Sequence, residues 1–329
     1  NDGDFDNDED PEDDDSDDGD SNDDNDGSGG DNSGEDTPIL PVTTPQPDHA
    51  AEVPQGYVAI YNIAQLYEVR NGLDQNYILM SDIDMTTATA PGGEFDDGNG
   101  WKPIENFTGN FDGNGYRIIG MHIFGDMKEK NVGLFGSASG DITNLGMKNC
   151  DIDVSNTANV GGIVGCYGGD EDETGTQISQ CYVSGKINVK IIEKDYSNDI
   201  GIGGLIGNID YVRENFNIEN CYNTADVSGK KETEELGTNY FCGGIIGCQF
   251  ASIEVISCYN RGKILKGEGY GICGMNGYRS TYNSYKNCYY LMGTATQGCG
   301  NGYDEEVDFY DDTYTGITPI AQESQMKKK

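Results

Sequence analysis

Residues 202–207 read Ile-Gly-Gly-Leu-Ile-Gly, and residues 220–222 read Asn-Cys-Tyr. Both phrases recur along the chain. Versions of the first phrase end at glycines spaced 29, 42, 40 and 27 residues apart: Gly136, Gly165, Gly207, Gly247 and Gly274. The second phrase contains cysteines spaced 31, 40, 37 and 30 residues apart: Cys150, Cys181, Cys221, Cys258 and Cys288. Two phrases that repeat in a fixed order at unequal intervals indicate one structural unit with loops of variable length.

The repeated unit has the composition of short β-strands joined by turns. An apolar or aromatic residue lies three positions before each of these cysteines, and a polar residue, usually Asn, lies directly before it. In such a repeat each strand pairs with the equivalent strand of the next coil and covers its apolar face. The pattern predicts an all-β fold, a right-handed parallel β-helix, with low helix content and with Asn side chains stacked in hydrogen-bonded ladders.

The residues before the repeats have a pattern typical of a cap. Alternating apolar residues predict a strand over 57–61. Asn62 followed by Gln65 is a capping-box pattern that predicts the start of a short helix, and Asn71-Gly72 predicts a left-handed stop. We predict four segments: a disordered acidic and Pro-containing spacer over 1–54, an N-terminal cap over 55–104, the β-helix over 105–303 and a C-terminal extension over 304–329.

The spacer is dominated by acidic residues. Its first 36 residues contain 19 Asp or Glu and no Lys or Arg. A segment this polar cannot bury enough apolar surface to offset its ordering entropy, so we predict that it is disordered. Carboxylates are calcium ligands, but both candidate loops lack the bidentate Glu of the binding template, since Asn25 and Ser33 stand at that position. The spacer therefore predicts only weak, non-specific calcium binding, and no other cofactor or metal is expected.

The charge of the whole chain argues against some partners. The 329 residues include 58 acidic and 20 basic side chains, which give a formal net charge of −38. Binding of nucleic acid through a basic face is therefore not expected. No apolar run approaches the ~18 residues of a membrane helix, so the protein is predicted not to span a membrane. The chain starts at Asn1 rather than Met, as expected for a processed or excised segment.

Taken together, the phrases resemble the repeat of bacterial surface proteins known for the GLUG motif. The resemblance includes Trp101-Lys-Pro-Ile104, the stretch from Phe107 to Tyr116 and Ile118-Ile-Gly-Met121, and it covers about residues 56–292. Members of this family are extracellular β-helical regions of adhesin-like proteins, and similar repeats occur in non-catalytic regions of immunoglobulin A1-specific metalloendopeptidases. The resemblance implies a bacterial protein that is extracellular or on the cell surface, and it carries over no catalytic residue.

Catalytic motifs are scarce in the sequence. Neither His49 nor His122 begins a His-Glu-x-x-His motif, and no Gly-x-Ser-x-Gly elbow occurs. Residues 269–274 fit Gly-x-Gly-x-x-Gly, but they are a copy of the repeat and open no predicted helix. The sequence therefore predicts no nucleotide site and no metalloprotease or serine hydrolase site.

Paired carboxylates are the stronger enzymatic alternative. Cleavage of a glycan needs two carboxylates held across a cleft. Asp151 and Asp153 share one face of a predicted strand, whereas Asp112 lies in a Gly-rich stretch that is better explained as a turn. We expect that the chain is not an enzyme, and a glycan-degrading β-helix is the alternative.

The five repeated cysteines predict one buried axial column. Stacked parallel strands hold their Cα–Cβ vectors parallel, which suits packing of small side chains better than the dihedral angle of a disulfide. The ten cysteines show no Cys-x-x-Cys spacing, so no zinc site is predicted.

Four of these cysteines are followed directly by tyrosine: Tyr182, Tyr222, Tyr259 and Tyr289. Alternation along a strand predicts that these tyrosines point outward in a stripe with one ring per coil. We take the stripe as the candidate binding site for a host or extracellular glycan or protein, with a purely structural aromatic ladder as the alternative. The sequence thus predicts an adhesion or binding module displayed on an acidic spacer; a non-catalytic stalk of a larger surface protease is a further alternative.

Overall fold

A computed structural model of the protein describes residues 49–50, 52–128, 130–168, 176–192, 199–210, 216–233, 239–265, 269–277, 283–300 and 316–321. The chain divides into two units, Asn1–Val42 and Thr43–Lys329, and all of the described residues belong to the second. Most of the predicted spacer therefore lies outside the described residues. Near its end, the ring of His49 stacks on Tyr116 with centroids 4.0 Å apart, and the N–H of Ala50 donates to Oδ1 of Asn114 over 2.6 Å.

The regular secondary structure of the described residues is β-strand apart from one short helix and a 3-10 turn. The helix α1 spans Ile63–Glu68 and continues into a 3-10 turn over Val69–Asn71. In this part of the chain no helix is both long enough and apolar enough to cross a membrane. The strands in chain order are β1 Tyr57–Ile60, β2 Asn76–Leu79, β3 Ile83–Asp84, β4 Phe111–Asp112, β5 Arg117–Ile119, β6 His122–Asp126, β7 Phe135–Ala138, β8 Ile142–Thr143, β9 Gly146–Ser155, β10 Val160–Gly161, β11 Val164–Tyr167, β12 Gln177–Ser179, β13 Tyr182–Ile191, β14 Ile200–Gly203, β15 Ile206–Ile209, β16 Phe216–Glu219, β17 Tyr222–Asn223, β18 Asp226–Lys231, β19 Tyr240–Gly243, β20 Ile246–Gln249, β21 Ile253–Ile256, β22 Tyr259–Asn260, β23 Ile264–Leu265, β24 Gly269–Asn276, β25 Ser284–Lys286, β26 Cys288–Leu291, β27 Gln297–Cys299 and β28 Ile317–Ile320.

These strands pair in parallel and form three sheets. Sheet A has the order β1-β2-β4-β8-β12-β16-β21-β25. Sheet B has the order β28-β26-β22-β17-β13-β9-β5-β3, and sheet C has the order β10-β14-β19-β24-β20-β15-β11-β7. Each central repeat crosses the sheets in the order A, B, C, so β12, β13 and β14 are followed by β16, β17 and β19. This arrangement confirms the predicted all-β fold with parallel sheets, and it is consistent with a parallel β-helix.

Inward-facing side chains form rows along the stack. The row in sheet A contains residues from seven successive strands, each at most 5% exposed: Tyr77, Phe111, Ile142, Ile178, Ile218, Val255 and Tyr285. Burial of one such side chain stabilises the fold by about 1.5–3 kcal/mol. The core is therefore assembled coil by coil, with each apolar side chain covered by its equivalents in the neighbouring coils.

The three central glycine phrases form sharp bends between pairs of short strands in sheet C. Gly203 ends β14, and β15 begins only three residues later. A Cβ atom on Gly203 would lie 1.9 Å from the backbone oxygen of Ile206 and 2.7 Å from the backbone nitrogen of Gly247. A Cβ atom on Gly204 would lie 2.5 Å from Cγ of Asn223. The phrase therefore needs glycine because other backbone and side-chain atoms occupy the space of a side chain at these positions.

The capping prediction at the start of the helix is confirmed, and the predicted left-handed stop is wrong. Oδ1 of Asn62 accepts from the N–H of Gln65 over 3.0 Å, and Oε1 of Gln65 accepts from the N–H of Tyr61 over 2.7 Å. Gly72, however, has a φ of −149°, which is not left-handed. The hydroxyl of Tyr77 donates to the carbonyl of Gly72 over 2.9 Å, so the close approach of this ring is what favours glycine there.

The predicted column of five cysteines contains only four. Cys181, Cys221, Cys258 and Cys288 follow one another in the stack and are fully buried. Gly146 pairs with Tyr182, which places Leu145 beside Cys181 at the position predicted for Cys150. Cys150 pairs with Gly185 instead, because a bulge adds one residue to β9. Cys150 is buried as predicted, but it belongs to a different row.

Asparagine forms a ladder at a position that the sequence analysis did not select. Asn223 and Asn260 directly follow the tyrosines and are fully buried, and Nδ2 of Asn223 donates to Oδ1 of Asn260 over 2.9 Å. The residues directly before the cysteines have left-handed backbone instead, with φ between 52° and 54°: Gln180, Asn220, Ser257 and Asn287. Asn favours that position because it tolerates positive φ better than most residues do.

Candidate functional site: the tyrosine ladder on sheet B

The four candidate tyrosines lie in one row on sheet B. Tyr182 pairs with Tyr222, Tyr222 with Tyr259, and Tyr259 with Tyr289. All four are half buried. We call this row the tyrosine ladder. Each ring follows a buried cysteine and precedes an inward-facing residue, so the alternation of the strand places the rings on the outer face.

The rings of the ladder stack face to face. The centroids of Tyr182 and Tyr222 are 4.9 Å apart with an angle of 5° between the ring planes, and those of Tyr222 and Tyr259 are 4.9 Å apart with an angle of 1°. This separation equals the spacing of adjacent strands, so one ring per coil builds a continuous stack. Because both faces of Tyr222 are covered by neighbouring rings, its exposed part is the ring edge.

Two residues at the N-terminal end of the row continue the ladder and were missed by the sequence analysis. Gly146 pairs with Tyr182, and a Cβ atom on Gly146 would lie 2.5–2.7 Å from atoms of the Tyr182 ring. Arg117 pairs with Gly146 and therefore lies next in the row. Asp82 holds Arg117 with two hydrogen bonds, from Nη2 over 2.7 Å and from Nε over 3.3 Å. No signal in the sequence identified this group, because it depends on the register between coils.

Burial raises the pKa of two hydroxyls of the ladder, those of Tyr182 and Tyr259. Burial, followed by the nearby hydroxyl of Tyr222, raises the pKa of Tyr182 to about 12, and the charge of Arg117 opposes this effect. Burial is also the main cause that raises the pKa of Tyr259, with Tyr222 adding to it and Arg261 opposing it. At neutral pH these hydroxyls therefore remain protonated and can donate hydrogen bonds to a ligand.

Cationic side chains flank the ladder on the same face of sheet B. Lys148 is exposed and lies in β9, two residues after Gly146. It pairs with Ile119 of β5. Arg261 lies two residues after Tyr259, and its charge acts on the Tyr259 hydroxyl. Further along the strands, Nζ of Lys186 lies 3.2 Å from Oδ1 of Asp151. The ladder is therefore bordered by positive charge although the chain as a whole is strongly acidic.

The candidate catalytic carboxylates all contact neighbouring polar or charged groups. Asp112 accepts from the N–H of Asn114 over 2.7 Å and from Nδ2 of Asn144 over 3.0 Å, as its turn pattern predicts. Asp151 and Asp153 lie on the outer face of sheet B, where Asp153 pairs with Lys190 over 3.4 Å. His122 also lies on this face, with Nδ1 3.7 Å from Oδ2 of Asp151. Within the described ranges, no group of three or more His, Cys, Asp or Glu side chains is arranged to hold a metal ion.

The buried cysteine thiols are chemically protected. All ten cysteines are described, and none forms a disulfide. Burial raises the pKa of the Cys150 and Cys242 thiols to about 12 and that of the Cys288 thiol to about 11. In the column, Sγ of Cys221 lies 3.5 Å from the carbonyl of Ile178 and 3.3 Å from the carbonyl of Glu219. The thiols of Cys150, Cys242 and Cys288 are therefore protonated at neutral pH, and their burial protects them from alkylating reagents.

Cys221→Ser is expected to lower the free energy of unfolding by about 1 to 3 kcal/mol, because it places a hydroxyl in an apolar column. The two nearby carbonyls favour the lower end of this range, since they offer the hydroxyl acceptors. Cys221→Ala is expected to cost less. Urea denaturation of the three proteins measures the difference. Mass spectrometry of the alkylated, unreduced protein provides a separate test, and a disulfide at Cys181 or Cys221 would contradict the packing account.

Two segments of the chain, residues 156–188 and 198–228, match the GLUG motif. Each match begins before a glycine phrase and ends in the following strand of sheet B. The matched segments thus contain both repeated phrases and the tyrosines 182 and 222. The chain therefore carries GLUG repeats, which confirms the resemblance found in the sequence.

Two relatives align with part of the chain. A protein of Evansella cellulosilytica, provisionally named a Gly-rich membrane protein, is 36% identical over 129 residues, which cover 36% of this chain and 14% of that protein. Halomucin of Haloquadratum walsbyi is 32% identical over 136 residues, which cover 41% of this chain and 1% of halomucin. This chain thus spans only a small part of the length of either relative.

One solved structure resembles most of the fold. The crystal structure of a Bacteroides ovatus protein, provisionally described as an immunoglobulin A1 protease, superposes with a TM-score of 0.51 over 78% of this chain and 86% of that chain. The two sequences are 20% identical. At this identity the likeness concerns the fold, and it supports the β-helix-like assignment.

Proposed function

We propose that this chain is a non-catalytic, extracellular binding module of a bacterial surface protein, built as a right-handed parallel β-helix solenoid. The tyrosine ladder of Tyr182, Tyr222, Tyr259 and Tyr289 is its binding site. The GLUG repeats and the relative described as a membrane protein support a surface location. We also propose that the module is displayed on the acidic spacer, as the sequence predicts.

The observation that carries this proposal is the placement of four equivalent tyrosines on one outer face. Three of these rings are stacked at 4.9 Å intervals, which fixes their positions without a ligand. A site built on stacked strands needs no ordering when it binds, so little of the binding energy is lost to conformational entropy. Tyrosine also combines a large apolar surface with a hydrogen-bonding hydroxyl, which is why it is frequent at binding sites.

A stalk without a ligand is the second candidate. It is favoured by the small share of each relative that the chain spans, 14% and 1%, since a repeat segment in a long protein can serve as a spacer. In that case the ladder would contribute stability only. The two candidates differ in what happens to binding when the tyrosines are replaced.

The pair Tyr222→Phe and Tyr259→Phe, made together, is expected to abolish binding and to leave the thermal midpoint unchanged. Phenylalanine keeps the ring stack but removes the hydroxyls at the exposed edge. The pair Tyr222→Ser and Tyr259→Ser is expected to abolish binding and also to cost about 1–3 kcal/mol, because two stacked contacts are lost. Binding is measured on immobilised heparin, alginate, cellohexaose, collagen and fibronectin.

Tyr61→Ser is the control, because Tyr61 is 51% exposed and lies in the cap away from the ladder. It is expected to bind like the unchanged chain. Binding that survives in the folded Ser pair would place the site elsewhere and contradict the proposal. If the unchanged chain binds none of these ligands, the stalk is favoured instead.

A further inference from the structure

We infer that the ligand of the tyrosine ladder is an anionic polysaccharide, whose carboxylate or sulfate groups are bound by Lys148 and Arg261 beside the rings. The inference rests on the proposed function, because it names the ligand class of the same site. It follows from three features of the ladder: the covered ring faces, the neutral hydroxyls and the positive charge at both ends of the stack.

The stacking geometry selects the kind of contact that a ligand can make. Sugars and nucleic-acid bases bind aromatic side chains through an exposed ring face. Both faces of Tyr222 are covered, by Tyr182 and by Tyr259, with rings within 5° of parallel. The central ring therefore offers its edge, which is the part of a tyrosine that carries the hydroxyl. A ligand rich in hydrogen-bond acceptors fits this surface better than a flat apolar or aromatic one.

The charges at the two ends of the ladder add an electrostatic requirement. At the N-terminal end of the stack, Lys148 is exposed in β9, which pairs with the strand of Tyr182, and the charge of Arg117, whose donor fork is held by Asp82, acts on Tyr182. Arg261 acts in the same way on Tyr259. A guanidinium is suited to carboxylate and sulfate groups because its N–H donors form a fixed planar fork. Cationic side chains thus lie at both ends of the stack of three rings.

The carboxylates on this face are already bonded to neighbouring groups. Asp82 is held by Arg117, Asp151 pairs with Lys186, and Asp226 accepts from the N–H of Lys263 over 2.9 Å. Their charge is therefore partly compensated before a ligand arrives. Exposed charges more than about 8 Å away are screened at physiological ionic strength, so the acidic character of the whole chain acts weakly at the ladder.

The repeat of the ladder explains why a polymer fits better than a small anion. The hydroxyl-bearing ring edges recur every 4.9 Å over three rings. Strand pairing fixes this spacing. A polysaccharide presents acceptor groups at regular intervals along an extended chain, so several weak contacts form at once. A single acetate or sulfate ion would meet only one cation and one hydroxyl.

The experiment compares charged and neutral polysaccharides on the full chain by biolayer interferometry. Immobilised heparin supplies sulfate, alginate supplies carboxylate, and dextran is the neutral control. We expect binding to heparin or alginate, none to dextran, and an affinity that falls as sodium chloride is raised. Arg261→Gln and Lys148→Gln are each expected to weaken binding about tenfold, as expected for the loss of one charge-assisted hydrogen bond.

Lys190→Gln is the matched control, because Lys190 is a cation of sheet B whose Nζ pairs with Asp153 away from the ladder. It should leave the affinity unchanged. Arg261 is half buried, so the affinity of Arg261→Gln is interpreted only if this variant keeps the thermal midpoint of the unchanged chain. Lys148 is exposed, so Lys148→Gln is expected to fold normally and tests the charge alone.

Two results would overturn the inference while leaving the proposed function intact. One is binding of a neutral glycan or a matrix protein that is lost in the Phe pair but unaffected by Lys148→Gln and by salt. The other is binding to heparin or alginate that Lys190→Gln weakens as much as Lys148→Gln does, since this would indicate non-specific attraction. Absence of binding to every glycan and matrix protein would overturn both the inference and the proposed function.

Discussion

Gly203→Ala is expected to lower the free energy of unfolding by about 3 kcal/mol or more, at the upper end of the cost of overpacking. The added Cβ would lie 1.9 Å from the backbone oxygen of Ile206 and 2.7 Å from the backbone nitrogen of Gly247. Neither atom can move aside by a change of rotamer, so β14 and β15 would have to separate. Urea denaturation followed by far-ultraviolet circular dichroism measures the loss.

Gly92→Ala is the matched control for this variant. Gly92 has a φ of +79°, and no atom lies within 4 Å of the place that its Cβ would take, so alanine there meets backbone strain without a clash. Its expected cost is about 1–2 kcal/mol, the penalty for an ordinary residue in left-handed backbone. Equal costs for the two variants would contradict the steric account of the glycine phrase.

The repeat could be predicted from the sequence because its two phrases mark equivalent places in the central coils. The glycine phrase marks the bends of sheet C, and the Cys-Tyr phrase marks the start of a strand in sheet B. The alternation after each cysteine also predicted the outer row of tyrosines. These features are local, so each could be read from a few residues of one repeat.

Features that depend on the register between coils could not be predicted in this way. Asn149-Cys150 matches the repeated phrase, but the bulge in β9 places Cys150 opposite Gly185 and leaves Leu145 in the cysteine row. Ile142 and Leu145 are three residues apart, as Ile178 and Cys181 are, so they occupy the equivalent positions in the neighbouring coil. A phrase match identifies a similar stretch of chain, whereas the pairing of neighbouring coils decides which row a residue joins.

The same limit applies to the candidate site. The sequence predicted that the tyrosines share one face, but it did not predict that Tyr222 would have both of its ring faces covered. It also gave no indication that Gly146 makes room for the Tyr182 ring or that Arg117 follows in the same row. These contacts join residues 29 or more positions apart in the chain, and they change the expected ligand from one that stacks on rings to one that bonds their edges.

Asn223→Ala is expected to lower the free energy of unfolding by about 2–4 kcal/mol, because it leaves several buried polar groups without partners. Oδ1 of Asn223 accepts from the N–H of Ala225 over 3.0 Å, and its Nδ2 donates to the carbonyl of Ala225 and to Oδ1 of Asn260, each over 2.9 Å. Asn188→Ala is the control, since Asn188 makes an exposed hydrogen bond to Asp153, and it should cost less than about 0.5 kcal/mol.

A double-mutant cycle of Asn223→Ala with Asn260→Ala, followed by urea denaturation, isolates the ladder bond itself. Removing both partners should cost less than the sum of the single changes, because the second substitution removes a group that the first left unsatisfied. Strict additivity would indicate that the two amides act independently, each through its own backbone bonds, and would contradict a stabilising ladder between coils.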